Sequence, residues 1–463
     1  MKISTKTNNK GSVYNRTTPV KSSSLEPKIA KFFGAVTQHL ASDNLYRKDM
    51  LSLTASENYQ SFLVRMLSSS HNSSFYSFIP PYNVESAGEE WFFPDSDSRK
   101  EITALLRETG KAMFHSQTFD ERPNGGSGAE QAVLLATCNR GDGWLHFSAQ
   151  DGGHFGNEAL SIKAGLEEHH FPVDPTTGLI KIEELNTILK KHQNIKLLLL
   201  DQSHKLRYQP LAEIKKLLQP DVLLAYDCSH DMGLIVGGSL PQPLLEGADV
   251  LIGNTHKTFP SVNKAIIAFA DKNHPLFKPV SDWVCPFLQS NSHHELTLPL
   301  LISLMEMKVF GKDYAEQTVK NAKAFAKELR EQGFNVSGEH FCYTKTHQVH
   351  LILDSRQEAL KAVSELLPSA GIRGNNIMIP GHNAFGLRLG TQAITRRGMK
   401  EEEMREVAKF LAKVLLKKEN PTKIKAEVKE LLMDFSLFPL AYSFDFLVDD
   451  DLGKSLLMEV LSK

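Results

Sequence analysis

The chain is short of cysteine, of net charge and of long apolar runs, and each shortage closes off a class of protein. Its 463 residues hold four cysteines, Cys138, Cys228, Cys285 and Cys342, far apart and with no CxxC pair. That spacing excludes a disulfide framework or a thiolate zinc site and implies reduced thiols in a cytoplasmic protein. No metal ligand set is expected. Acidic and basic residues nearly cancel, 54 against 53, leaving a formal charge of −1. The balance favours neither nucleic acid nor an anionic membrane as a partner. No uninterrupted apolar stretch approaches the roughly 18 residues that a membrane helix needs. The turn Gly125-Gly126-Ser127-Gly128 lacks GxGxxG spacing and a following acidic strand end, which argues against a dinucleotide fold.

What is present is an ordinary globular composition, 41% hydrophobic and 23% charged, on a chain long enough for two or three domains. Residues 1–25 carry five basic residues, no acid and many Ser, Thr and Asn, with no apolar core of a secretory signal, and read as a flexible tail. A helical arm is expected over 26–95, opening with apolar residues at helical spacing over 25–51. From 96 to 300, helical stretches such as 99–114 and 128–137 alternate with short apolar runs at 144–147, 195–201, 222–227 and 250–253. Continuous apolar strands between helices imply a sheet buried on both faces, so the fold class is α/β with a mostly parallel, doubly wound sheet. A linking helix over 298–332 leads to a smaller α+β domain ending near 440. Its strands are expected at 348–353 and 386–389, its helices at 356–367 and 401–418. A C-terminal extension, 441–463, follows.

Ligands in such folds gather at the carboxyl ends of the strands. Three apolar runs end there in polar clusters: Asp201-Gln202-Ser203, Asp227-Cys228-Ser229-His230 and Asn254-Thr255-His256-Lys257. A lysine and an aspartate at two such ends are what pyridoxal phosphate needs. The lysine forms a Schiff base with the aldehyde, and the carboxylate keeps the pyridine nitrogen protonated so that the ring draws electrons. Burial beside cations lowers the lysine's pKa and makes it a nucleophile. The glycine turn that ends in Gly126-Ser127 enters a helix and offers N–H groups and a favourable dipole to the phosphate. His154, in Asp151-Gly152-Gly153-His154, can stack on an aromatic cofactor. His230 and Ser203 can reach its phenolic edge, and His256 can tune the lysine. Arg388, flanked by apolar residues in Leu387-Arg388-Leu389, suits the carboxylate of an amino-acid substrate, which prefers a bidentate partner.

In order along the chain, these segments resemble the serine hydroxymethyltransferase family, of fold type I among pyridoxal phosphate enzymes. The matching pieces are Leu53-Thr54-Ala55-Ser56-Glu57-Asn58, Gly126-Ser127-Gly128-Ala129, Asp151-Gly152-Gly153-His154, Asp227-Cys228-Ser229-His230-Asp231-Met232-Gly233-Leu234, Thr255-His256-Lys257-Thr258 and Leu387-Arg388-Leu389-Gly390-Thr391. The resemblance implies that Lys257 carries the Schiff base and Asp227 pairs with the pyridine nitrogen. It implies that His154 stacks on the ring and that Ser203 and His230 contact the phenolic side. Gly126 and Ser127 would hold the phosphate, with Tyr76 reaching in from a neighbouring subunit. Arg388 would bind the substrate carboxylate, and Glu57 would be the catalytic glutamate. A homodimer with active sites at its interface is implied, as is a place in amino-acid and one-carbon metabolism.

There are departures. The family's paired tyrosines are replaced by Phe92-Phe93, and its arginine- and glycine-rich loop by Phe259-Pro260-Ser261-Val262-Asn263-Lys264. Asn254 stands where a threonine is usual, and Gly125 where a serine is. Losing hydroxyls beside substrate and tetrahydrofolate changes specificity by a few kcal/mol, so folate binding stays open. Three readings remain: serine–glycine interconversion, a folate-independent aldolase or transaldolase (or another specialised amino-acid enzyme of the same fold), and a cofactor-binding homologue without turnover.

Overall fold

The computed structural model describes residues 27–69, 97–448, 451, 454 and 455. The expected roles of Tyr76 and Phe92-Phe93, the tail 1–25 and most of the C-terminal extension lie outside the described residues. Pro27–Lys48 is a helix in a separate unit, Met1–Asp49. It starts at a proline, whose missing N–H is harmless in a first turn, and ends on Arg47 and Lys48, which suit the negative end of the dipole.

Among the described residues, twelve short strands organise the unit Met50–Lys463. Six form the central sheet: β2 (Gly143–His146), β3 (Glu167–His170), β4 (Ile195–Leu200), β5 (Leu223–Asp227), β6 (Val250–Asn254) and β7 (Ala265–Phe269), in the order β3-β2-β4-β5-β6-β7. All neighbours are parallel except β6 and β7. Strands β4, β5 and β6 are almost wholly apolar because both faces are covered. Leu198, Leu200, Leu224 and Leu251 face one core, and Leu197, Leu199, Ala225 and Ile252 face another with Ala129 and Val133 of the helix Gly126–Thr137.

A second, antiparallel sheet runs β11 (Asn375–Ile379), β12 (Ala384–Gly390), β9 (Gln348–Ile352) and β8 (Asn335–Val336). The remaining pair, β1 (Leu51–Ser52) and β10 (Ile372–Arg373), is parallel and ties the segment after residue 50 to this region. The helix Thr297–Glu331 joins the two parts. Its 35 residues rise about 1.5 Å each. Leu300, Leu304, Met307 and Tyr314 pack into the core of the central sheet, whereas Ala322, Phe325 and Leu329 pack into that of the second. Among the described residues no helix is long and apolar enough to cross a membrane.

Between this helix and the helix Gln392–Arg396 lies an ion pair shut away from water. The Arg396 Nη2 donates to Glu306 Oε2 at 3.0 Å, and both side chains are 0% exposed. Burial nevertheless pushes the Glu306 carboxyl up, with Arg396 opposing. Removing one partner of such a pair is expected to cost about 3–5 kcal/mol. Arg396→Met should therefore lower the urea midpoint clearly, and an unchanged midpoint would contradict the view that this pair holds the helix to the C-terminal segment.

Candidate active site

The carboxyl ends of β2, β4, β5 and β6 hold the polar residues of the site. Strand β5 ends on Asp227, whose Oδ1 accepts the Ser229 N–H at 2.7 Å. Ser229 in turn takes the Asn254 N–H on its Oγ at 2.9 Å, so the ends of β5 and β6 are tied together. Three residues beyond Asn254, Lys257 leaves the strand on a compact turn. Thr255 Oγ1 donates to Val262 O at 2.6 Å and Ser261 N to Thr255 O at 2.9 Å, which folds the chain straight back into β7. The backbone of Lys257 is held from the other side: Asn58 Nδ2 donates to its carbonyl at 2.7 Å and to the Tyr314 hydroxyl at 2.9 Å.

The Lys257 amine is 3.3 Å from His230 Nε2. Burial pushes its pKa down to about 8; Arg388 and Lys205 push the same way, and Asp227 opposes them. His230 is driven well below its usual range, first by burial and then by Lys257 and Arg388. It is therefore a neutral acceptor for the lysine proton. His230 also stacks on His347, with ring centres 5.9 Å apart and planes 10° apart. His256 is half-buried and pushed down to about 4 by burial and Lys257. Thr258 closes the loop by donating from Oγ1 to His230 O at 2.8 Å.

A rigid frame surrounds these groups. Asp201, at the end of β4, accepts three donors: Phe147 N at 2.9 Å, His154 N at 2.7 Å and Asn157 Nδ2 at 2.9 Å. It thereby fixes the turn on which His154 stands. Below the sheet ends, the Lys205 amine pairs with Asp231 Oδ2 at 2.5 Å and donates to the Tyr226 hydroxyl, which itself donates to Asp231 at 2.7 Å. Glu130, in the helix after the glycine turn, is pushed well above the usual carboxylate range by burial and by Asp201 and Asp227.

The glycine turn fits a phosphate. Gly126 is the first residue of the 12-residue helix Gly126–Thr137, and its N–H donates to Asn254 Oδ1 at 2.7 Å. An amide oxygen there takes the acceptor position that a phosphate oxygen would take. A Cβ on Gly126 would lie 2.5 Å from Asn254 Nδ2, so a side chain there would displace the Asn254 amide. Ser127 follows it, exposed in the same first turn. With the His230 and His256 Nδ1 atoms buried and unpartnered, the donor set matches a phosphorylated aromatic aldehyde.

The second sheet supplies the remaining groups. Arg388 lies in β12 opposite His350 and Asn375 and is 6% exposed. Its Nε donates to Asn375 Oδ1 and its Nη1 to Ser203 O, each at 3.3 Å. No carboxylate pairs with it among the described residues, and burial pushes its pKa down to about 10. Ser203 thus meets Arg388 through its backbone. Glu57 is brought in by the β1–β10 pair: its Oε1 accepts from Arg373 Nη2 at 2.6 Å, and its carbonyl from Gln392 Nε2 at 2.6 Å. Asn58, Tyr314, Lys205, Asp231 and His347 escaped the sequence reading. Asn58 stood inside a motif already singled out, whereas a tyrosine in a long helix carries no local signal.

The model of the family described as serine hydroxymethyltransferase matches residues 33–411. The serine hydroxymethyltransferase of Archaeoglobus fulgidus is 32% identical over 434 residues, 90% of this chain and 96% of that protein. That of Methanocaldococcus jannaschii is 34% identical over 418 residues, covering 86% and 93%. The crystal structure of L-threonine transaldolase from Pseudomonas fluorescens in its internal aldimine state matches with a TM-score of 0.90 and 46% identity, covering 93% of this chain and 98% of that one.

The charge balance around Lys257 sets a pH dependence. In the cofactor-free protein, acylation of this amine should rise through a pH near 8. Arg388→Leu removes a repelling cation and should move the inflection up. Asp227→Asn removes the attracting anion and should move it down. Mass-resolved labelling across pH reads both, and shifts of the opposite sign would refute the assignment of causes.

Proposed function

Because the chain belongs to the serine hydroxymethyltransferase family, we propose that it transfers an aldehyde-derived fragment between β-hydroxy-α-amino acids as a folate-independent transaldolase. The chain is a pyridoxal phosphate-dependent enzyme that makes or breaks a Cα–Cβ bond. Two features favour the transaldolase over serine–glycine interconversion. Identity to the L-threonine transaldolase is 46%, against 32–34% for the two hydroxymethyltransferases. In addition, Phe92-Phe93 stands where the family's folate-side tyrosines are expected. In this reading L-threonine gives acetaldehyde, and a second aldehyde takes its place on the retained two-carbon unit.

The observation that carries an amino-acid substrate is Arg388. A buried guanidinium that meets two neutral acceptors among the described residues has N–H donors left for a carboxylate, in the fork geometry that suits one. Bound pyridoxal phosphate would supply an electron sink for negative charge at the substrate α-carbon. Lys257 would hold its aldehyde carbon, Asp227 its pyridine nitrogen and the Gly126-Ser127 turn its phosphate. His154 would lie against the ring face and His230 at the phenolic edge, with Ser203 beside it. His256, uncharged beside Lys257, would add no competing charge to the amine's surroundings. The freed amine, with His230 next to it as a neutral acceptor, can take and return a proton at the α-carbon. Glu57, anchored through Arg373, would handle the proton of the β-hydroxyl as the Cα–Cβ bond breaks. The active enzyme in this reading is a homodimer, with Tyr76 completing the partner's phosphate site.

Two variants and one assay test the reading. Lys257→Ala should abolish the visible absorbance of bound cofactor after dialysis. Arg388→Lys should keep that absorbance and raise the KM for the amino acid about 10–100-fold, the equivalent of roughly 1.5–3 kcal/mol for a lost charge-assisted bond. L-threonine with an aromatic aldehyde should yield acetaldehyde and a new β-hydroxy-α-amino acid without tetrahydrofolate. Turnover of serine only when tetrahydrofolate is added would return the chain to hydroxymethyl transfer.

A further inference from the structure

We propose that His146, Glu168 and His170 bind a divalent transition cation of the zinc class at the outer edge of the central sheet. Strand β3 reads Glu167-Glu168-His169-His170, unusually polar for an α/β sheet, and its alternate residues face opposite sides. In the parallel register His146 of β2 pairs with His170 and Trp144 with Glu168, so His146, Glu168 and His170 share one face. His146 Nε2 is 2.7 Å from Glu168 Oε1, and His170 Nε2 is 3.4 Å from the same oxygen. The three ligand atoms all lie within 4.8 Å of one another.

The short contact between His146 and Glu168 needs a positive charge, either a proton on Nε2 or a bound cation. His146 Nδ1 is 2.8 Å from Phe147 O, a carbonyl that can only accept, so Nδ1 carries a hydrogen. In the neutral ring Nε2 is then a lone pair, and it faces a carboxylate oxygen. Two acceptors this close require a proton or a metal ion between or beside them. A ring whose far nitrogen donates to a backbone carbonyl is also the usual arrangement of a metal-bound histidine. The His146 ring is held in place by Trp144, 4.3 Å away, whose indole N–H is fixed on Ser161 Oγ at 2.9 Å.

Two imidazoles and one carboxylate suit zinc, cobalt or nickel, with a fourth position left for water or an exogenous ligand. Ligand atoms around zinc are about 3.3 Å apart in a tetrahedron of 2.0–2.1 Å bonds. His170 already meets that spacing to Glu168, and His146 needs to open by roughly half an ångström. Access runs past His170, whose side chain is 47% exposed, whereas His146 is 3% exposed. The opposite face of β3 holds a looser cluster of Glu167, His169 and His192. There the carboxylate is already bonded to Asn194 and lies 4.0 Å from His169. The sequence reading expected no metal, because three ligands from two strands show no spacing along the chain.

The site is next to the cofactor frame without belonging to it. Phe147, which follows His146, donates to the same Asp201 carboxylate that anchors His154. The test uses holoenzyme freed of metal by a chelator and titrated with Zn²⁺ against a chromophoric competitor. One tight equivalent is expected. Glu168→Gln and His170→Ala should each weaken it by more than about 100-fold, beyond the 10–100-fold cost of losing an outer-shell partner. Both variants should retain the visible absorbance of bound cofactor, which shows that they fold. The proposal fails if no equivalent binds tightly, if both variants bind as the parent does, or if His192→Ala removes the ion instead.

Discussion

The structure is organised around an amine that cannot keep its charge comfortably. Lys257 is buried at the end of β6 with Arg388 and Lys205 close enough to repel it and Asp227 to hold it. In water such a lysine would stay protonated, and it would be useless as a nucleophile. Here desolvation and repulsion outweigh one carboxylate, and the amine titrates within reach of neutral pH. The arrangement survives because its members cannot relax away from one another. Asp227 is pinned by Ser229, Lys205 is held in place by Asp231 and Tyr226, and Arg388 is fixed in the middle of an antiparallel sheet.

That rigidity comes from two sheets contributing opposite sides of one site. The central sheet delivers Asp227, His230 and Lys257 from its carboxyl edge. The second sheet delivers Arg388, and the loop that follows β1 delivers Glu57 and Asn58. The helix Thr297–Glu331 is rooted in both cores and presents Tyr314 where the parts meet, its hydroxyl donating to Thr258 O at 3.0 Å. A change in that helix would alter the distance between the lysine and the arginine without touching either.

The chain belongs to the serine hydroxymethyltransferase family, and its candidate site gathers charged groups from both sheets. The lysine, aspartate, two histidines and arginine that suit pyridoxal phosphate and an amino acid are all present. At the start of the helix Gly126–Thr137, Asn254 accepts the Gly126 N–H. The polar edge strand β3 is a separate matter, with carboxylates and imidazoles on both faces where an interior strand would carry valine or isoleucine.

Sequence alone determined the main elements and where the candidate site lies. Apolar runs at 195–201, 222–227 and 250–253 appear as β4, β5 and β6, and the helices fall close to where apolar spacing puts them, because burial on both faces leaves its mark residue by residue. Lys257, Asp227, His230 and Gly126 were legible because each stands where a buried strand or helix gives way to polar residues. Tertiary structure alone decided the rest. Short strands such as β3 and β10 have no apolar pattern, since one is polar at the sheet's edge and the other pairs with a distant segment. The pairing of Glu57 with Arg373, of Arg388 with Ser203 and of His146 with Glu168 joins residues from 22 to 316 positions apart. Such contacts depend on register and packing, which distribute their cause over the whole fold and leave no signal at the residues themselves.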